Sequence, residues 1–163
     1  MPMGRISFSQ VEGATEVFTT EFLEYLAAAH DKFTPKIQQL RTKRLEVLNR
    51  ALRDGIMPGH LEVSGINTQS WKVQPVPQDL KTPGIEISGP VSRTRMFINA
   101  LNPGPDGTRA DGDLDDDEDS AGHTLSDTVT AAINRLRAVN RNLTFHDEKR
   151  GRQYSIQDGE IPF

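Results

Sequence analysis

Apolar residues recur at helical spacing once the chain passes residue 19. Thr19 and Thr20 precede Glu21 and Glu24, so a hydroxyl cap is followed by carboxylates in a first turn, where the helix dipole favours negative charge. Phe22, Leu26, Ala29 and Phe33 then share one face. Thr34 and Pro35 repeat the start signal, a cap followed by proline at a first helical position, and predict a second helix. Ile37, Leu40, Leu48 and Leu52 give that helix one apolar side with the basic residues largely elsewhere, and Gly55 and Pro58 end it. The expectation is an N-terminal helical hairpin within residues 1–56.

Residues 57–83 lose this periodicity. Pro75, Pro77 and Pro83 exclude a long helix, while Trp71 and Val73 suggest a short extended segment, so the stretch reads as a connector packed by Trp71. From residue 84 the period changes to two. Ile85 and Ile87 alternate with Glu86 before Ser88, Gly89 and Pro90, a short strand running into a turn, and Met96 to Leu101 begin a helix. Residues 103–119 are rich in Gly, Pro and Asp. Unpaired carboxylates are costly to bury, so this stretch is expected to be an exposed loop rather than a strand. Thr124 or Ser126 caps a last helix whose Leu125, Val129, Ala132, Leu136 and Val139 form a stripe, with Arg135, Arg137 and Arg141 towards its negative end. Leu143 to Phe145 and Tyr154 to Ile156 flank a polar turn containing Gly151, as in a hairpin.

Composition narrows the chemistry. The 163 residues include no cysteine, which excludes a disulfide framework, a thiolate zinc site and a cysteine nucleophile, and four scattered histidines argue against a histidine-built metal site. A net charge of -4 argues against a nucleic-acid binder, although the sign is segregated: basic at Lys32 to Arg53, acidic at Asp111 to Asp119, basic again at Arg135 to Arg152. No aromatic residues interleave with the basic helix face, which reads as a solvated surface. The first residues lack the charged-then-apolar run of a signal peptide and no stretch has the length of a membrane span, so a cytoplasmic location without membrane association is expected.

The acidic run invites a hard cation such as Mg²⁺ or Ca²⁺. Asp111, Asp113 and Asp115 alternate as in a calcium loop, but the sixth position is Asp116 where glycine is needed and the twelfth is Gly122 where a bidentate glutamate is needed. A solvated acidic loop is the plainer reading. His123 has no nucleophile at a recognisable spacing, and Gly104, Gly107 and Gly112 match neither phosphate-loop pattern.

The wording of the sequence carries more. Ser70 to Asn102, SWKVQPVPQDLKTPGIEISGPVSRTRMFINALN, resembles the segment of malate synthases that joins the N-terminal helical region to the first strand of a TIM barrel, most closely in WKVQPVPQDL, IEISGP and INALN. Upstream, FLEYLAAAHDKFTPKIQQL and DGIMPGHL are similar to that family's helical hairpin; downstream, DDEDS and AINRLRAVNRNLTFHDEKRGRQYSI are similar to its second strand end, second helix and following hairpin.

The resemblance implies an α/β fold, a helical hairpin followed over 84–163 by the first βα units of an incomplete TIM barrel. It also implies an acyltransferase of the glyoxylate cycle. Mg²⁺ holds glyoxylate, a carboxylate takes a proton from the methyl group of acetyl-CoA, the enolate attacks the aldehyde, and hydrolysis of malyl-CoA yields malate and CoA. The family's acidic motif, Asp, variable, Glu, Asp, matches Asp116 to Asp119, so the resemblance brings Asp116 and Glu118 near Mg²⁺ through its waters. The family's catalytic arginine, direct metal ligands and base have no matching positions here, so no catalytic residue is assigned and the chain is expected to be inactive without a missing barrel half. A complete barrel takes about 250 residues. Where the family has an apolar second strand, this chain has GTRADGDLDD; the stretch from Asn102 to Asp116 is longer than usual, and one residue is added around Arg93 to Met96. The rival readings are a non-catalytic interaction module that self-associates or binds a partner, and an acidic divalent-cation-binding protein.

Overall fold

The computed structural model describes residues 5–60, 70–81 and 84–162. The chain divides into two units, Met1–Phe22 with Thr82–Phe163, and Leu23–Lys81.

The second unit is dominated by one helix. After a short α1 (Ala14–Val17), α2 runs unbroken over Thr20–Asp54 with Pro35 inside it, which corrects the expected hairpin. The start signal at Thr19 is used: its Oγ1 accepts the Phe22 amide at 3.2 Å. The second one is not. Thr34 Oγ1 is paired with His30 Nδ1 at 3.0 Å, one turn back along the same helix, instead of capping a new one. Proline has a helical φ; inside a helix it loses one donor and crowds the carbonyl four residues back, at about 3 kcal/mol, but HDKFTPKIQ holds no glycine to reverse the chain. The real stop is Gly55, at φ +67, where Ile56 N–H returns to the Arg50 carbonyl at 3.3 Å. Leu23 is the buried residue of α2; Phe33, Leu40 and Leu48 are each more than half exposed.

In the connector, residues 70–78 carry no strand and Asp79–Lys81 forms a 3₁₀ turn. Trp71, expected to pack this segment, is 68% exposed and belongs to neither apolar cluster among the described residues. Residues 61–69 and the expected break at Pro83 lie outside the described residues.

The first unit is a strand–helix–strand motif extended by a helix and a hairpin. β1 (Glu86–Gly89) and β2 (Gly112–Asp115) pair in parallel, with Ile87 opposite Asp113, and α3 (Thr94–Leu101) makes the crossover. α4 (Leu125–Val139) leads to β3 (Thr144–Asp147) and β4 (Arg152–Ser155), an antiparallel hairpin with Phe145 opposite Tyr154. Among the described residues this is mixed helix and sheet with two two-stranded sheets and no closed barrel.

The strand β2 corrects the expected loop. One edge of its backbone pairs with β1, and two of the nearby carboxylates find partners. Asp111, just before it, accepts the Ile85 amide at 2.8 Å, and Asp115 is paired with Arg135. Gly84 makes that approach feasible, since a Cβ there would lie 2.6 Å from Asp111 Oδ2.

Two apolar clusters hold the unit. Val91, Phe97, Ile98, Leu101, Ala131, Ala138 and Leu143 form the main core, flanked by Phe145 and Tyr154. Ala14, Val129 and Ile133 form a second with Phe8, Val11 and Phe18. α4 is capped by Thr124, whose Oγ1 accepts the Asp127 amide at 3.1 Å. Its buried face is Val129, Ala131, Ile133, Asn134 and Ala138, with Leu125 packed beside Val129, so the expected stripe holds at its start; towards the end Leu136 and Val139 are 55% and 76% exposed, and Ala138 is buried in their place. Asn134 is the polar member of this face. Its Nδ2 donates to the Val91 carbonyl at 2.7 Å and to Thr94 Oγ1 at 3.1 Å, turning this side of α4 towards the start of α3.

Candidate functional site

The acidic run divides at the C-terminal end of β2. Asp116 leaves the strand with its amide bonded to the Gly89 carbonyl at 3.0 Å, extending the parallel ladder by one step. Its carboxylate then folds over the next turn: Oδ1 accepts the Glu118 amide at 3.1 Å and the Asp119 amide at 2.8 Å, and its carbonyl accepts the Ser120 hydroxyl at 2.8 Å. The Asp119 amide foremost, assisted by Ser120 and Glu118, holds the Asp116 carboxyl below the ordinary carboxylate range. Glu118 is exposed, and its carbonyl is contacted by His123 Nε2, with His123 at φ 54. Asp116 and Glu118 thus sit on one tight turn beyond a strand end.

The alternating residues of β2 point elsewhere. Arg135 reaches from α4 with Nε 2.6 Å from Asp115 Oδ2 and Nη2 2.6 Å from Asp117 Oδ2. Partial burial works against its charge, but the two carboxylates outweigh this and hold the guanidinium above its ordinary range. Asp113 has no such partner. It faces a cavity of about 70 Å³ beneath α3 with Ile87, Met96, Phe97 and Ala100, and its Oδ2 is buried without a hydrogen bond, as is Asp115 Oδ1. Burial, then the neighbouring Asp115, pushes the Asp113 carboxyl up to about 6, with Arg135 opposing.

A second cavity, about 630 Å³, opens between the start of α3 and the β3–β4 turn. Ser92, Arg93, Phe145 and Lys149 line it, and Arg95 crosses it to Asp147 at 3.1 Å.

Among the described residues, no three His, Asp or Glu side chains gather as metal ligands. Asp116 Oδ1 is engaged by turn amides, and the exposed Glu118 carboxylate beside it is a hard oxygen donor of the kind Mg²⁺ takes. Asp111 lies in the bend before β2, as expected of a loop residue, and anchors the Ile85 amide there, whereas Asp113, also expected in the loop, lies within β2. Arg135 was legible only as a helix-end cation; its pairing across 18 and 20 residues has no local sequence signal.

A parallel strand–helix–strand unit with an acidic turn at the C-terminal strand end defines an α/β protein. No protein-family model matches the chain. Curated proteins do. It is 33% identical over 148 residues to malate synthase of Streptomyces clavuligerus, covering 90% of this chain and 26% of that protein. It is 34% identical over 142 residues to malate synthase of Myxococcus xanthus (86% and 25%) and 30% identical over 155 residues to malate synthase A of Escherichia coli (93% and 28%). The chain stands in a family relationship to the malate synthases, and it spans about a quarter of the length of the curated relatives it matches.

Proposed function

We propose that this chain supplies the N-terminal helical region and first βα units of a malate synthase TIM barrel. The assembled enzyme joins acetyl-CoA to glyoxylate and, with water, releases malate and CoA. The observation that carries this reading is the similarity running through about nine-tenths of the chain rather than through one motif. The parallel β1–α3–β2 unit is what a barrel of this kind repeats, and barrel chemistry lies at the C-terminal strand ends, where the Asp116 turn is.

In that reading Asp116 and Glu118 face Mg²⁺ through its waters. When bound, the ion polarises the glyoxylate aldehyde and offsets charge developing on its oxygen. The work of this chain is to hold the two carboxylates at the rim of the site; the group that removes the acetyl-CoA methyl proton lies on the remaining barrel. The chain alone is inactive. Among the described residues no helix is long and apolar enough to cross a membrane, and the reading assigns no membrane or nucleic-acid partner and a cytoplasmic place. Glyoxylate-dependent release of CoA from acetyl-CoA, measured after assembly with the rest of a malate synthase barrel, tests it.

A second reading is favoured by the exposed apolar residues of α2 and by the two-stranded β1–β2 sheet, whose edges are open among the described residues: a non-catalytic module that binds a partner through these surfaces. It predicts stable complexes without turnover.

A further inference from the structure

We infer that Arg135 is the positioning residue of the acidic turn, setting the direction in which Asp116 and Glu118 project; their role near a cation rests on the function proposed above. Arg135 is the one side chain among the described residues that links α4 to both flanks of Asp116, through Asp115 on the strand and Asp117 beyond it. Asp115 closes β2 and Asp117 lies in the bend beyond it. With both carboxylates drawn to one guanidinium, the backbone on either side of Asp116 is tied to α4, and the Asp116 carboxylate folds over the amides of Glu118 and Asp119.

The fork matters as well as the charge. Nε and Nη2 form one planar edge, so a single rigid group spans two carboxylates at 2.6 Å each. A lysine supplies one flexible point charge and cannot hold both in that geometry. Within the stretch GTRADGDLDD, which departs from the apolar strand of the family, Asp115 is the residue that Arg135 takes up. Charged positions that would otherwise push β2 off the helix layer become the handle by which α4 orients the turn.

The test is nuclear magnetic resonance on the whole chain. Backbone ¹⁵N order parameters are measured for residues 116–120 in wild type, Arg135→Lys and Arg135→Met, with the β3–β4 hairpin as internal reference. A rigid turn has values of about 0.85 and a loosened one falls below about 0.6. The expected order in the turn is wild type highest, Arg135→Lys next and Arg135→Met lowest, with the hairpin unchanged. Asp117→Ala, which removes only the outer carboxylate, is expected to give an intermediate result; Asp117→Asn, which removes its charge but keeps an acceptor, is expected to loosen the turn less than Asp117→Ala and serves as the deciding variant should Arg135→Met fail to fold. A turn as ordered in Arg135→Met as in wild type, or as ordered in Asp117→Asn where that variant decides, overturns the inference. Broadening of the same resonances by Mn²⁺ is recorded in parallel. A wild-type response weakened about tenfold in Arg135→Met supports the positioning role. Loosening without any Mn²⁺ response, even in wild type, keeps the positioning of the turn and removes the cation reading alone.

Discussion

Asp113 and Asp115 occupy the same face of β2 and meet opposite fates. Asp115 has Arg135; Asp113 has an apolar cavity and a buried oxygen with no donor. Its carboxyl is raised from 3.8 to about 6, so the folded state binds its proton more tightly than the unfolded chain does. The sign follows. Above pH 6 its ionisation costs stability; as pH falls from 6 towards 4 that cost disappears. Asp113→Asn is expected to raise stability at pH 7 by about 1 kcal/mol after allowing for solvent screening, with the gain shrinking to nothing near pH 4. Urea unfolding of the two proteins at pH 7 and pH 4 checks it, and a constant difference between them would place the effect elsewhere. Asn134 carries the converse case, a buried amide with its partners made. Asn134→Leu strands the Val91 carbonyl and Thr94 hydroxyl and is expected to cost about 1 to 3 kcal/mol in the same measurement.

At the scale of elements, what could be read in advance was what local signals carry. Thr19, Gly55 and Thr124 mark helix ends through contacts within a few residues, and the β3–β4 hairpin follows from two apolar runs around a polar turn. Three features are set by partners far along the chain or by their absence nearby. β2 pairs where β1 takes one edge of an acidic segment and Arg135 takes its Asp115, and Asn134 of α4 is buried where it reaches Val91, 43 residues away. α2 is the third case in reverse: the Thr34–Pro35 pair looks like a start, but nothing around it provides a turn. The acidic turn itself was legible as a motif, whereas the guanidinium that brackets it was not. A proline inside a helix costs about 3 kcal/mol relative to alanine. Pro35→Ala is therefore expected to strengthen the circular-dichroism signal at 222 nm and to raise the temperature at which α2 melts. Unchanged or lost helicity would favour two separate helices joined at Thr34.

At the scale of the molecule, the described residues hold two kinds of unfinished surface. α2 shows a row of apolar side chains to solvent, and the β1–β2 pair has open edges. Both suit a chain that corresponds to about a quarter of its relatives' length. Sedimentation velocity is expected to show the isolated chain self-associating and to show one discrete complex once the remaining portion of a malate synthase barrel is added; a compact monomer indifferent to that portion would argue against shared assembly. The decisive experiment follows CoA thiol release in that complex, with acetyl-CoA and Mg²⁺ present and glyoxylate added or withheld. Release that requires glyoxylate and both chains, and that falls when Asp116→Asn and Glu118→Gln are introduced together, is the predicted result. A properly assembled complex that releases no CoA would contradict the proposed function.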